Sequence, residues 1–257
     1  MMWRSLLSLS ALLLLQACAL SPAAPEFTPE SGQPGKDVIW VPTPQVLVDK
    51  MLDMAKVTPK DYVMDLGSGD GRTVITAARR GATALGIEYN PDMVELSRRN
   101  AEREGVAGKA SFMKADIFET DFSRATVVTL FLLPSLNLKL RPKLLALKPG
   151  TRVVSNSFTM DTWEADETAT LTRDGGCNAG WCTAYLWIVP AQFAGTYKVP
   201  AGELALEQKF QALSGTLRTA TGNHPVSGKV VGEEAYFTAD LRPYHARLNG
   251  KALELLP

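Results

Sequence analysis

The chain has 257 residues, of which 46% are hydrophobic and 21% are charged, as in globular proteins of one or two domains. Its 27 Lys and Arg residues balance 27 Asp and Glu residues, so the composition lacks the basic excess of a nucleic-acid-binding protein. The two histidines, His224 and His245, have no partners at metal-ligand spacing, and we therefore expect no metal site and no nucleic-acid partner.

The amino terminus is typical of an exported lipoprotein. The apolar run over residues 6–15 is too short to span a bilayer comfortably and suits a signal peptide. The four residues that end at Cys18 read Leu-Gln-Ala-Cys and resemble a lipobox, in which acylation of Cys18 would anchor the chain to a membrane. We expect a signal peptide over residues 1–17 and a tether, rich in Pro, Gly and acids, over residues 18–36.

Ala19, rather than Asp, follows this cysteine, as in lipoproteins that are sorted to the outer membrane. The expected location is therefore the outer membrane, facing the periplasm. The alternatives are an uncleaved anchor or a misassigned start codon, and the latter would leave the protein in the cytoplasm.

A glycine-dense turn follows a buried strand at residues 63–72, which read VMDLGSGDGR. Strand residues without polar alternation fit a parallel sheet covered on both faces, and glycines at alternate positions let the backbone pass close to a ligand. A dinucleotide loop would place its third glycine three residues after the second. Here an additional carboxylate, Asp65, ends the strand, so the pattern favours a different nucleotide cofactor over a turn that binds no ligand.

Two further acids follow predicted strands. The strand over residues 82–87 ends at Glu88, where a carboxylate can accept hydrogen bonds from both ribose hydroxyls, although a solvated charge is the alternative. Asn90, followed by proline, predicts the start of a helix that ends near residue 105. A third strand, over residues 110–113, leads to Asp116.

These features resemble the class I S-adenosylmethionine (SAM) methyltransferases. The match covers roughly residues 41–166 and is carried by residues 41–45, 65–72, 86–91, 125–134 and 148–154. The chain is similar to the subfamily that methylates lysines of mitochondrial membrane proteins, including the c-subunit of ATP synthase, and to bacterial domains of unassigned substrate. The resemblance implies a doubly wound, Rossmann-like α/β fold over residues 37–190, with an antiparallel terminal hairpin.

The resemblance also implies SAM as the cofactor, lying across the carboxyl ends of the first three strands. The glycine loop would wrap the methionine end, with Asp65 meeting its ammonium and exposed N–H groups facing its carboxylate. Asp116 would meet the adenine amino group while Ile117 covers the ring. The implied cofactor-binding residues are Thr43, Asp65, Gly67, Ser68, Gly69, Asp70, Gly71, Glu88, Tyr89, Asp116 and Ile117.

One departure from related enzymes limits the methyl acceptor. Methyltransferases that act on planar amide or base nitrogens carry an Asn/Asp-Pro-Pro-Tyr/Phe run after the fourth strand, whereas residues 132–135 read LLPS. Nucleobase and glutamine acceptors are therefore disfavoured, and a protein lysine, a small molecule or no acceptor remains open. No catalytic residue is assigned, since methyl transfer from a sulfonium depends mainly on approach and orientation.

The remaining cysteines, Cys177 and Cys182, lie between strand-like segments at residues 167–173 and 183–189, where the fold has its hairpin. Once Cys18 is assigned to lipid they form a possible disulfide pair, although two free thiols fit the spacing equally.

Residues 191–257 read as a small β-meander domain. Residues 213–217, 226–230 and 248–253 share a small-polar, Gly, polar, apolar pattern, which we interpret as three similar strand entries.

The expected function is SAM-dependent methyl transfer, with a protein lysine among the acceptors that remain open. Because SAM is made in the cytosol, an envelope location offers no obvious supply of it. A catalytically idle lipoprotein that uses the fold as a binding or scaffold module is therefore the alternative, and a bound nucleoside other than SAM is a third possibility.

Overall fold

A computed structural model describes residues 27–178 and 180–257. The predicted signal peptide, Cys18 and the beginning of the predicted tether lie outside these residues. The described chain folds into two seven-stranded sheets, one mixed and one antiparallel. Within it, no helix combines the length and the apolar character needed to cross a bilayer.

The first sheet has the strand order β3-β2-β1-β4-β5-β7-β6, in which β1 to β5 are parallel and β7 is antiparallel to both of its neighbours. Its strands are β1 (Tyr62–Leu66), β2 (Thr83–Glu88), β3 (Ala110–Lys114), β4 (Val127–Leu130), β5 (Arg152–Asn156), β6 (Glu167–Thr170) and β7 (Thr183–Ile188). Its helices are α1 (Gln45–Met54), α2 (Arg72–Arg79), α3 (Pro91–Arg103) and α4 (Pro134–Leu145). The order reverses between β1 and β4, where open α/β sheets bind ligands. This arrangement confirms the predicted fold class.

Local sequence explains these elements. The strands β1 and β4 are almost wholly buried, as expected for a sheet covered on both faces. The Asn90 side chain caps α3 by accepting a hydrogen bond from the Asp92 N–H (2.9 Å), and Pro91 occupies the first helical position. One core cluster joins α1, α2 and α3 to the sheet, and a second joins α4 to it.

The second sheet is a meander with the order β14-β13-β12-β11-β10-β9-β8. Its strands are β8 (Gly195–Val199), β9 (Gly202–Lys209), β10 (Ala212–Thr219), β11 (Gly222–Val231), β12 (Glu234–Ala239), β13 (Arg242–Asn249) and β14 (Ala252–Leu256). Each strand pairs in antiparallel orientation with the strand that precedes it and the strand that follows it in the sequence. The apolar side chains of one face form a separate core.

The interpretation of three equivalent strand entries is wrong. Gly215 and Gly228 lie inside β10 and β11, where an added Cβ would approach backbone oxygens of the neighbouring strands to 2.0 and 2.2 Å. Gly250 instead lies in the turn between β13 and β14 with a φ of 62°. Two glycines therefore permit close strand approach, whereas the third permits a left-handed turn.

The second sheet packs onto the first through a turn residue. Phe210, between β9 and β10, has a φ of 53° and stacks on Trp163 with ring centroids 6.1 Å apart. The adjacent Gln211 donates from Nε2 to the Glu164 carbonyl (2.7 Å), and the Ala191 N–H donates to the Gly232 carbonyl (2.7 Å). The two sheets therefore share an aromatic contact backed by hydrogen bonds to the backbone.

Candidate active site

A cavity of about 610 Å³ opens at the carboxyl ends of the central parallel strands. Its volume lies within the range of about 300–1,000 Å³ found for small-ligand sites. The predicted residues that line it are Thr43, Asp65, Gly67, Ser68, Gly69, Asp70, Glu88, Tyr89, Asp116 and Ile117. Ten of the eleven predicted residues are thus brought to one cleft.

The eleventh residue, Gly71, does not line the cavity. Its φ is 84°, and an added Cβ would lie 2.8 Å from the Phe112 ring and 2.9 Å from the Ser97 Cβ. Gly71 therefore lets the loop pack against β3 and α3 at the point where α2 begins. This glycine has a packing reason that the sequence spacing does not distinguish from ligand contact.

The glycine loop uses several of its N–H groups internally. The Gly67 and Ser68 N–H groups both donate to the Ile87 carbonyl (2.8 and 3.0 Å), and the Gly69 N–H donates to Glu88 Oε2 (3.0 Å). These three N–H groups are therefore used in closing the loop on the end of β2, and the prediction that exposed N–H groups face the cofactor carboxylate concerns other positions. The Ser68 hydroxyl is buried and has no hydrogen-bond partner within the described chain.

Glu88 is fixed at the end of β2 from both sides. Its Oε2 accepts from Gly69, and its Oε1 accepts from the Asn90 N–H (2.9 Å). Each carboxylate oxygen has a further lone pair, so Glu88 can still accept hydrogen bonds from a ligand.

Asp65 is the buried carboxyl group of the cleft, with 6% exposure. It lies opposite Thr129 of β4, whose hydroxyl donates to Asp65 Oδ1 (2.6 Å). Burial raises the pKa of Asp65 to about 7, and the nearby charges of Glu88 and Asp70 act in the same direction, while the Thr129 hydrogen bond opposes them. A cationic group in the cleft would favour the ionised form.

Asp116 is paired with a residue that the sequence analysis placed in the tether. Lys36 forms an ion pair with Asp116, and its ammonium lies 4.6 Å from the centre of the Tyr89 ring. The hydrogen bond from Lys36, supported by one from the Phe118 N–H (2.8 Å), lowers the pKa of Asp116.

The segment that carries Lys36 covers the cleft. Pro34 and Ile39 form a β-bridge, and residues 33–43 line the cavity. Trp40 packs on the glycine loop so closely that a Cβ at Gly69 would lie 2.5 Å from its indole nitrogen. Residues 33–36 thus contribute to the cleft, although their composition suggested a tether.

A polar chain fixes Thr43 beside the loop. Arg72 donates to Asp70 (Nε to Oδ1, 3.0 Å) and to the Thr43 carbonyl (2.8 Å). Buried Asn156 donates to the Thr43 hydroxyl (3.2 Å). These bonds connect the segment before α1 with the loop and with the end of β5.

The other end of the cleft is aromatic, a feature that the sequence analysis missed. Phe131, Phe158 and Trp181 line it, with ring centroids 5.4 to 6.2 Å apart. Trp181 lies in a loop closed by a disulfide between Cys177 and Cys182, whose Cα atoms are 6.0 Å apart. Trp181 lies just before the strand-like segment predicted at residues 183–189, which was the available signal for this ring.

Within the described residues, no cluster of three or more His, Cys, Asp or Glu side chains is arranged to hold a metal ion. The cleft instead carries carboxylates and aromatic surface. This donor set suits an organic cation with hydroxyl groups and a planar ring.

Comparison with known proteins gives the family. The ANTKMT methyltransferase domain model matches residues 65–167. A protein-lysine N-methyltransferase of Saccharolobus islandicus (strain REY15A) is 46% identical over 155 residues, which are 59% of this chain and 94% of that protein. The chain belongs to the class I SAM-dependent methyltransferases.

Two further relatives match this methyltransferase. The lysine N-methyltransferase of the ATP synthase c-subunit from Homo sapiens is 38% identical over 128 residues, or 49% of this chain, and the chain spans 54% of that enzyme. A crystal structure described as an RNA methyltransferase from Salinibacter ruber in complex with S-adenosyl-L-homocysteine is 50% identical, with a TM-score of 0.55. The match covers 60% of this chain and 96% of that structure.

SAM is the cofactor of this enzyme, and the cleft fits it. SAM carries a sulfonium and an ammonium, and the cleft supplies buried Asp65 together with Glu88 at the end of β2. The prediction of an enzyme of this class is confirmed.

Proposed function

We propose that this methyltransferase transfers the methyl group of SAM to the amine of a protein lysine. The observation that carries the proposal is the 46% identity to a protein-lysine N-methyltransferase, over 94% of that relative's length. The human c-subunit lysine methyltransferase, matched over about half of its length, supports the same acceptor class.

In this proposal the acids of β1 to β3 hold the cofactor. Asp65 accepts from the ammonium, Glu88 from the ribose hydroxyls and Asp116 from the adenine amino group, with Ile117 beside the ring. Supporting this assignment, the three acids line one cavity in the order in which their strands adjoin. The ion pair with Lys36 leaves Asp116 further lone pairs, as at Glu88, so this carboxylate can also accept from the adenine amino group.

The reaction requires an unprotonated amine in line with the methyl group. When SAM is bound, the amine lone pair forms the new N–C bond, the C–S bond breaks with its electron pair on sulfur, and the methylated ammonium releases a proton to water. The side chains around Asp65 orient the cofactor, while Leu132 and Leu133, between β4 and α4, add apolar surface to the cleft.

RNA is the second candidate acceptor, because the Salinibacter structure is described as an RNA methyltransferase. An RNA site requires cations for the phosphates. Along the described lining of the cleft the cations are Lys36 and Arg72, and both are paired with carboxylates. The formal net charge of zero also favours a protein acceptor.

Calorimetric titration with SAM and S-adenosyl-L-homocysteine tests the cofactor step. Radiolabelled SAM with poly-L-lysine, a membrane-protein extract or bulk RNA then tests the acceptor. Label recovered as methyl-lysine after acid hydrolysis is the expected result. Label confined to RNA would overturn the lysine proposal and leave SAM-dependent methyl transfer intact.

We further propose that Cys18 is acylated and that the enzyme is an outer-membrane lipoprotein facing the periplasm. The disulfide between Cys177 and Cys182 supports this location, because such bonds persist mainly in oxidising compartments. Cys18→Ala, or a block of lipoprotein processing, is expected to leave an unprocessed precursor and to remove the protein from the outer-membrane fraction. An intact amino terminus on soluble cytosolic protein would refute the proposal.

A further inference from the structure

The edge of the first sheet divides the cleft into two chemically different halves. The carboxylates are Asp116, which follows β3, Glu88 of β2 and Asp65 of β1, in the spatial order of these strands. The aromatic rings, which follow β4 and β5 and precede β7, are Phe131, Phe158 and Trp181. Neighbouring strands lie about 4.8 Å apart, so the aromatic half begins one strand away from Asp65.

The three rings form one continuous wall. Phe131 and Phe158 stack with centroids 6.0 Å apart, and Trp181 contacts them at 6.2 and 5.4 Å. Trp181 is 40% exposed, so part of its ring is available to a ligand. Ser157, with a φ of 58°, donates its N–H to the Thr183 carbonyl (2.7 Å) and thereby turns Phe158 towards the loop that carries Trp181.

The disulfide fixes the loop that carries Trp181. Cys177 is buried, and its N–H donates to the Thr172 carbonyl (3.2 Å). The Cys182 carbonyl accepts from the Leu171 N–H (2.9 Å). Both ends of the bridge are therefore tied to the segment that follows β6, and the loop between them presents Trp181 to the cleft.

The aromatic half suits an alkylamine. The stem of a lysine side chain is apolar and packs along apolar surface. A neighbouring carboxylate would hold the amine in its protonated form, whereas an apolar wall favours loss of the proton. The acidic residues of the described cleft lining are Asp37, Asp65, Asp70, Glu88 and Asp116, all outside the aromatic wall.

We propose that Trp181, held in place by the Cys177–Cys182 disulfide, is the acceptor-selecting residue and forms with Phe131 and Phe158 the entrance for a lysine side chain. This inference rests on the proposed function and adds the place where the acceptor enters. It also makes acceptor affinity dependent on the oxidised loop. Cofactor affinity is independent of the loop because the carboxylates lie on other strands.

The test compares Trp181→Ala and Trp181→Phe with the wild type in the full chain, using poly-L-lysine as acceptor and calorimetry for SAM. Trp181→Ala is expected to raise the KM for poly-L-lysine about tenfold without changing the Kd for SAM, and Trp181→Phe to restore most of the loss. Tyr236→Ala, at a similarly exposed aromatic residue of the second sheet, is the control and should change neither value.

Reduction of the Cys177–Cys182 disulfide is the second part of this test. Dithiothreitol, or a Cys177→Ser/Cys182→Ser variant, should raise the same KM in the wild-type background but have no further effect on Trp181→Ala. An unchanged KM in Trp181→Ala would overturn the inference while leaving lysine methylation in place. Bound SAM without transfer to poly-L-lysine by the wild type would overturn the alkylamine assignment, whereas absence of SAM binding would overturn the proposed function itself.

Discussion

Replacing Asp65 with asparagine should stabilise the cofactor-free protein at alkaline pH and weaken its response to SAM. Asp65 is buried beneath the glycine loop, and burial raises its pKa from the ordinary 3.8 to about 7. A folded-state pKa above the unfolded one means that ionisation opposes folding. The stabilising contribution of the neutral Asp65 side chain is therefore complete below about pH 4. It is lost as the pH rises from about 4 to about 7, and it does not return at higher pH.

The magnitude follows from the size of the shift. About three pKa units, at about 1.4 kcal/mol each, give a ceiling of about 4 kcal/mol for the free energy of unfolding that wild type loses between these pH values. An asparagine at this position cannot ionise, and its side-chain oxygen can still accept the hydrogen bond from Thr129. The advantage of Asp65→Asn should thus be near zero at about pH 4 and approach this ceiling at about pH 8.

Urea unfolding followed by tryptophan fluorescence measures the difference, since Trp163 and Trp187 are fully buried in the core beside the first sheet. Asp161→Asn, at a carboxylate with 60% side-chain exposure, is the matched control. Its difference from wild type in the free energy of unfolding should be the same at both pH values. At a fixed, sub-saturating concentration, SAM should stabilise Asp65→Asn less than the wild type at alkaline pH, because the neutral amide lacks the charge that the ammonium requires. An Asp65→Asn advantage that does not grow with pH would refute the reasoning.

Three other predictions concern single side chains. Glu88→Ala should weaken SAM binding more than tenfold in calorimetry, because a hydrogen bond to a charged group contributes about 1.5 to 3 kcal/mol. Gly71→Ala should lower the melting temperature, since its Cβ would lie 2.8 Å from Phe112 at a φ of 84°; an unchanged melting curve would contradict this. Phe210→Ala should cost about 2 kcal/mol by removing the stack on Trp163, and limited proteolysis should then cleave faster between the sheets.

Local signals account for the parts of the first sheet that the sequence predicts. The apolar residues of β1 before Asp65, the Asn90 cap and the glycine spacing act within a few residues, so each can be read without tertiary information. They locate the cofactor half of the cleft. They do not separate Gly71, which packs on Phe112, from the glycines that line the cavity, because both need the same backbone freedom.

The remaining features depend on contacts between distant residues. Lys36 and Asp116 are 80 positions apart, and the Pro- and Gly-rich composition around Lys36 is equally suited to a tether and to a folded cover. Phe131, Phe158 and Trp181 are brought together only by the order of β4, β5 and β7. Strand order is set by the packing of the whole domain, so periodicity alone does not reveal this cluster.

The division of the sheet edge has a consequence for the evolution of the enzyme. The carboxylates that we propose hold the cofactor belong to strands and loops on one side of the switch point, and the aromatic wall belongs to strands and loops on the other. If the wall receives the acceptor as we propose, substitutions in the loops after β4 and β5 and before β7 alter the acceptor while leaving the cofactor chemistry intact. Exchange of a few loop residues could then give a related enzyme a new methyl acceptor. Neutral substitutions in the acceptor half of the cleft would need no compensating change in the cofactor half.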